Sequence, residues 1–554
     1  MPTQTKAAIR EAVRIVVLDP DSPGVLINTV SGCLLDRSQR KLSFETHPVY
    51  KELISSMTTH IDHNHIQRKV AQYYRYATFS HTWEDNEPLF EQVVRIVVYD
   101  LEESLTHDKL RMFCKIVRDS GLHWAWSDTC CINKANHIVL QEALVKMFKW
   151  YEGSAVTIVF LRGVHSPSQR GDLMRSIWNT RGWTLQEYHA SKVVLFYTED
   201  WKLYLDLDIP NHKRSDQIIT EMVEATGISA RDFADLRPGS HDIRNKLCLA
   251  SGRKTTLIED AAYSLLGCFS VPLPIVYGEG DHALGRLLAQ LLTSSGDASV
   301  LAWTGQSGTF NTCLPANIAV FKDVPTSHIP GVIEGAEMEG TTARLRASLH
   351  LTMVMMLYDR LSALRTPTFA DQRMRLPCLA FELGPVELVT QSESGYVFRA
   401  RTETLGTVEI RTTEDLSGLK PMTSRLVNPW IHSLLDQQPV RRVTETIPEN
   451  TDSHVTSTVL QTQAAWRVVS HLRQLFGTSL QPPSSVTQAD TQLALRVLAR
   501  LRQPFGALLL TPDSDHVAAY RRVAADSLII VRVEEITPTI LNKLVDSVRI
   551  LDVR

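Results

Sequence analysis

The sequence predicts a layered α/β protein with a parallel sheet in its first half and a mixed α+β region in its second. Three observations lead there. Leu144, Met147, Phe148 and Tyr151 follow the i, i+3, i+4, i+7 spacing of an amphipathic helix. Val156 to Leu161 comes directly after, β-branched and apolar throughout, as in a strand buried on both faces. A helix running straight into a buried strand implies a crossover connection and hence a parallel sheet. Beyond Ser294-Ser-Gly296 the character changes. Cys378 to Leu383, Val386 to Thr390, Gly395 to Arg401 and Thr407 to Thr412 are short, strand-like and separated by turn signals, which reads as an antiparallel module.

Taken in order, Val13 to Asp19 is a β-branched run closed by Pro20-Asp-Ser-Pro-Gly24, which reads as a strand and a turn. Residues 1–72 are thus expected to be an N-terminal extension that lends strands to the main sheet. The stretch from about 50 to 72 is polar and His-rich. Tyr73 to Ser80 reads as a strand followed by a helical segment, and Trp124 to Trp126 as a short strand ending at Asp128. Residues 241–295 look helical and irregular, with Pro272-Leu-Pro274 and Tyr277 to Gly280 marking a loop before a helix over 281–293. The main domain therefore covers 73–295 and a β-rich domain 296–435. In 436–554, Asp436 to Val459 has the polar composition of a mobile connection. It is followed by a strand at Ala507 to Leu510, a helix at His516 to Ala525, a strand at Leu528 to Val533 and a helix at Pro538 to Val545.

Composition narrows the function classes. A chain of 554 residues is long enough for two or three cores. Its 61 acidic and 58 basic side chains leave a formal charge of −3, which gives no broad positive field for nucleic acid. No signal-peptide pattern opens it, and no apolar run reaches the roughly 18–20 residues that span a bilayer, so a cytoplasmic location without a membrane span is expected. The eight cysteines are scattered, without zinc-ribbon spacing, and read as reduced, mostly buried thiols.

Three segments carry the rest: Tyr76 to Trp83 (YATFSHTW), Ser127 to Lys134 (SDTCCINK) and Trp178 to Glu187 (WNTRGWTLQE). In order, spacing and content they resemble the fungal heterokaryon-incompatibility (HET) domain family. A downstream segment, Ala250 to Gly267 (ASGRKTTLIEDAAYSLLG) with Tyr277-Gly-Glu-Gly280, extends the resemblance over roughly the first 300 residues. Glu84 stands where the family often has Gly, Lys134 where many members have Gln, and Tyr188-His-Ala-Ser191 where Leu-x-Ala-Pro is common. No Gly-x4-Gly-Lys-Ser/Thr loop is present, so members with a nucleotide-binding oligomerisation module are not matched. The resemblance implies self/non-self recognition, programmed cell death signalling, partners among other incompatibility or signalling proteins, homo-oligomer assembly and no required cofactor.

The HET domain is similar in its strand–helix rhythm to TIR domains, some of which cleave NAD, and this implies a TIR/flavodoxin-like sheet. Glu187 occupies the place of their catalytic glutamate. Nicotinamide leaves as a neutral amine, so a single carboxylate beside the ribose can stabilise or trap the oxocarbenium ion. NAD is the substrate that reading implies. Ligands bind at the carboxyl ends of strands in such sheets, which makes Ser80, His81, Trp83, Asp128, Asn133, Arg181 and Trp183 the candidate binding residues. The structural alternative stands beside it. The tryptophans serve equally as core anchors, and Arg181 with Glu187 or Asp128 as an ion pair.

Other clusters read as structure. Cys130 and Cys131 with His81 or His123 have thiol–base chemistry, but buried inert thiols are commoner. His60, Asp62, His63 and His65 have ligand chemistry in a stretch that reads as a solvated loop, so no metal is expected. Glu259-Asp260 reads as a helix-start or surface pair.

Overall fold

The computed structural model describes every residue except 1, 57–60, 227, 236, 323–339, 341–342, 344–350, 394, 432–487, 517, 526 and 528. The chain divides into two compact units, one of residues 1–291 with 299–325, the other of residues 292–298 with 326–554.

The first unit is an α/β layer structure. Its sheet contains β1 (Val25–Asn28), β2 (Leu34–Asp36), β3 (Tyr76–Ser80), β4 (Trp124–Trp126), β5 (Val156–Leu161) and β6 (Val194–Thr198), in the spatial order β2-β1-β4-β3-β5-β6. Strands β4, β3, β5 and β6 are mutually parallel, while β1 runs antiparallel to both β2 and β4. The parallel order reverses between β3 and β5, the kind of switch point at whose carboxyl ends ligands bind in open α/β sheets.

The continuous apolar run in β5 follows from the period of two along a strand. Ile158 and Phe160 join a core with Phe79, Trp124 and Trp126 on one face of the sheet. Val159 and Leu161 join another with Trp178, Phe196 and Tyr204 on the opposite face. Each fully buried side chain of this size contributes ~1.5–3 kcal/mol relative to exposure.

Two local readings are overturned here. The strand read at Val13 to Asp19 is not formed: Val13 to Val17 ends a helix, Pro2–Val17. Ile9, Ala12, Val13 and Val17 are buried at helical spacing, so the period of 3.6 begins upstream of the β-branched run and overrides its propensity. Among its described residues the His-rich stretch is largely helical. Helices Pro48–Ser56 and His63–Tyr73 lie in it, and Asp62 caps the second by accepting from the His65 amide at 2.9 Å. His60 lies outside the described residues. Among those described, no group of three or more His, Cys, Asp or Glu is placed to hold a metal ion. Strand β3 begins at Tyr76 because Tyr73 still belongs to the preceding helix.

In the second unit, strands Arg373–Glu382 and Arg425–Asn428 share one sheet with Phe505–Pro512, Tyr520–Arg522 and Val548–Val553. Residues 296–435 and 436–554 therefore do not form separate domains. Val386–Ser392, Gly395–Thr402 and Gly406–Thr412 make a second, three-stranded antiparallel sheet. The helix expected at His516 to Ala525 is not found among the described residues, of which Tyr520–Arg522 form a strand. Asp513 accepts from the Asp515 amide and from His516, and the resulting turn folds Tyr520–Arg522 back onto Phe505–Pro512. The connection read at Asp436 to Val459 lies outside the described residues. No helix among the described residues is long and apolar enough to cross a membrane.

Candidate functional site

Ser80 ends β3 and is fully buried. Helix Trp183–Ala190 enters from the side and brings Glu187 to it. Ser80 Oγ donates to Glu187 Oε2 at 2.5 Å and accepts from Trp178 Nε1 at 2.7 Å. Tyr151, from helix His137–Gly153, also bonds Glu187, while its hydroxyl donates to the Phe79 carbonyl at 2.9 Å.

Burial, first, and the charge of Asp128, second, push the Glu187 pKa up to about 8, against the weaker opposing pull of Ser80, Tyr151 and Arg253. Trp178 N–H thus donates to Ser80 and Ser80 to Glu187, while burial keeps the carboxyl group largely protonated.

Below this chain lies a ladder of buried hydroxyls. Thr78 Oγ1 meets Thr157 Oγ1 at 2.7 Å, Thr157 Oγ1 meets Ser191 Oγ at 2.5 Å, and Ser191 donates to the Glu187 carbonyl at 2.6 Å. The end of the Glu187 helix is held to β3 and β5 through them.

His81, the next residue, faces another carboxyl group. Its Nε2 lies 3.5 Å from Glu87 Oε2, and Lys109 Nζ reaches Glu87 at 2.5 Å and Glu84 at 3.1 Å. Burial alone would raise the Glu87 pKa; hydrogen bonding and charge from His81, then Lys109, reverse that and hold it at about 2. Glu84 also pairs with Arg162 at the end of β5, at 3.3 Å. Glu84 is therefore part of this ionic cluster.

Trp83 and Asp128 form a third group. The Trp83 indole is 49% exposed, and its Nε1 donates to Asp128 Oδ2 at 2.9 Å. Lys134 Nζ sits 3.5 Å above the ring and has no hydrogen-bond partner among the described residues. Burial lowers the Lys134 pKa, partly offset by the charge of Asp128.

Asn133, Arg181 and Trp183 stand apart from these groups. Asn133 accepts from the Ala135 amide and shapes the loop after β4. Arg181 makes no described ion pair with Glu187 or Asp128; its carbonyl accepts from Arg253 Nη1 at 3.0 Å. Arg253 also donates to Thr184 Oγ1 and Asn179 Oδ1, at 2.8 and 2.9 Å, and burial lowers its pKa to about 10. Gly182 is required by close approach, since a Cβ there would meet Thr255 Cγ2 at 2.5 Å. Trp183 bonds Asp260, which also accepts from Tyr277 at 3.0 Å.

Glu259 and Asp260 are buried and do not form a surface pair. Glu259 Oε1 accepts from the Gly278 and Gly280 amides, pinning the Tyr277 to Gly280 loop. None of the eight cysteines is in a disulfide. Its bond with Cys131 and burial raise the Cys130 thiol well above the usual range, so it is no nucleophile at rest. His123 packs against His47 and Tyr73, away from the thiol. The sequence reading passed over Tyr151 and Arg253 as site residues; each lay in a quoted block, but nothing in its spacing pointed to Glu187.

A family model described as "Heterokaryon incompatibility protein (HET)" matches residues 76–173. It takes in the first two motifs and stops before Trp178 and Glu187. Over 226 residues the chain is 33% identical to "Vegetative incompatibility protein HET-E-1" of Podospora anserina. The aligned stretch is 38% of this chain and 16% of that one, so the match spans a small part of the relative's length. No solved structure matches.

Proposed function

With a heterokaryon-incompatibility (HET) domain at residues 76–173 as its premise, we propose that this fungal chain acts in vegetative incompatibility and signals programmed cell death by assembly. The observation that carries this reading is the closed state of Glu187. A group that is 5% exposed, neutral, and hydrogen-bonded by Ser80 and Tyr151 is built as a structural pin. It ties the first motif to the third, so that any movement of the Glu187 helix is felt at the sheet edge where Trp83 is exposed. Partners in this reading are other incompatibility proteins or further copies of the chain.

The second reading is a TIR-like NAD glycohydrolase using Glu187. Its support is the strand order of the parallel sheet, which matches the start of a flavodoxin-like arrangement, together with a strongly perturbed carboxyl group at the carboxyl end of β3. An ionised carboxylate is needed for that chemistry, so activity would climb with pH through about 8.

One pair of variants separates the two. Glu187→Gln keeps an acceptor for Ser80 but cannot ionise. On the assembly reading, inducible expression of the full chain in a fungal host arrests growth, and Glu187→Gln arrests it equally. On the enzymatic reading Glu187→Gln is harmless, and nicotinamide release from NAD by the purified wild-type chain disappears with it. A wild-type chain that never impairs growth defeats the death-signalling proposal in both forms.

A further inference from the structure

Trp83 keeps an aromatic face in solvent that neither reading fills. Its indole is 49% exposed, yet the ring is held at its edge and on its inner face. Nε1 donates to Asp128 Oδ2 at 2.9 Å, and the buried Lys134 Nζ lies 3.5 Å from the ring centroid on the inward side. Trp83 follows β3 and Asp128 follows β4, its parallel neighbour, so both stand at the carboxyl end of the sheet. Ligands of open α/β sheets bind at that end.

The charges around the ring decide what the free face takes. An indole beside a carboxylate is a cation site, because the ring quadrupole and the carboxylate both draw positive charge. Here the chain supplies the cation itself. Lys134 Nζ has no hydrogen-bond partner among the described residues, so the indole and the charge of Asp128 are what offset its burial. With the inner face so occupied, π density is drawn inward and the outer face is left electron-poor. Such a face stacks best on an uncharged, electron-rich ring, whereas a second cation meets Lys134 through the indole. Asp128 has carboxylate lone pairs beyond the one that meets Trp83, and these accept from an amino group on the edge of the stacked ring.

We infer that Trp83 is the stacking platform for the uncharged, amino-bearing base of a purine nucleoside or nucleotide, with Asp128 accepting from the amino group and Lys134 turning cationic rings away. A free nucleoside or nucleotide is the source, and not a strand, since the chain's formal charge of −3 offers no field for a polyanion. The site stands whether or not Glu187 reacts, because none of its three side chains is hydrogen-bonded to that group. It still has a route there. Burial and then the Asp128 charge keep Glu187 protonated, so an amino group donated to Asp128 eases the ionisation of Glu187.

The test follows the Trp83 indole N–H signal by NMR in the full chain carrying isotope-labelled tryptophan, assigned by its loss in Trp83→Phe. Adenosine is expected to shift the signal saturably. The ring-methylated nicotinamide cation, also flat and amide-bearing, is expected to bind about fivefold more weakly, the worth of one exposed cation–π contact. Lys134→Gln, which removes the inner cation and leaves Asp128 unopposed, is expected to close that gap, and Lys134→Arg to keep it. No saturable shift with adenosine overturns the proposal. So does a cation that binds the wild type as tightly as adenosine, a gap that survives Lys134→Gln, or an adenine oligonucleotide that binds more tightly per base than adenosine. None of these measurements reads nicotinamide release or growth arrest, so the platform and the proposed function fail separately.

Discussion

Consecutive residues of the first motif, Ser80 and His81, each meet a buried carboxyl group, and the two groups are driven in opposite directions. Glu187 is 5% exposed and Glu87 8%, so burial works against ionisation at both. Around Glu187 the partners are hydroxyls and a neighbouring negative charge on Asp128, and its pKa rises to about 8. Around Glu87 they are His81 and Lys109, and its pKa falls to about 2. Burial alone therefore does not decide the charge of a carboxyl group; the sign of what it is buried with does. One end of β3 carries a neutral hydrogen-bonded pin on one side and an ionic cluster on the other.

The largest effect is expected from removing the cation on the ionic side. Lys109→Met leaves Glu87 and Glu84 buried without their ammonium partner, and breaking such a pair costs ~3–5 kcal/mol. Denaturant unfolding at neutral pH measures it. If Lys109→Met costs no more than a surface substitution, the ionic half of the comparison is wrong.

The neutral side is tested by pH. Because the folded-state pKa of Glu187 lies above its ordinary 4.5, its contribution is complete below about 4.5 and is lost as pH rises to about 8. Glu87 has the opposite sign: its contribution is complete above about 4.5 and is lost as pH falls toward about 2. Glu187→Gln should therefore match the wild type in acid and become the more stable chain by roughly 2–3 kcal/mol near pH 8, somewhat less than the full shift because a buried site relaxes. Thermal melts at a series of pH values read this directly. A difference that does not change with pH would mean that Glu187 is ionised in the folded chain.

What the sequence disclosed depended on whether the cause was local. The β5 run was legible because both of its faces meet a core, and the motifs because their residues are contiguous. Strand β6 went unremarked, since Val194 to Thr198 gains its identity only by pairing with β5. The N-terminal helix was misread because Val13 to Leu18 hides a period that starts at Ile9. Within the site, Ser80 and Glu187 could be named from their motifs, but not their protonation. That depends on how completely the folded chain buries the carboxyl group and on Asp128 lying near enough to repel. Lys109 reaches Glu87 from a helix, Leu105–Asp119, whose sequence gives no hint of the partner.

The smallest effect is expected at Asp128, and it sharpens the comparison most. Its charge is the second cause holding Glu187 neutral, after burial. Asp128→Asn removes that charge and keeps an oxygen to accept from Trp83 Nε1, so the fold should change by less than about 1 kcal/mol at neutral pH. The Glu187 pKa should fall, by about half a unit to one unit, in proportion to one charge screened by a partly solvated site. Lys134, which loses an opposite charge, should become easier to deprotonate. Carbon-detected NMR titration of the Glu187 carboxyl in both chains measures the first shift. A Glu187 pKa unmoved by Asp128→Asn would leave burial as its sole cause, and the contrast with Glu87 would then rest on the cations around Glu87 alone.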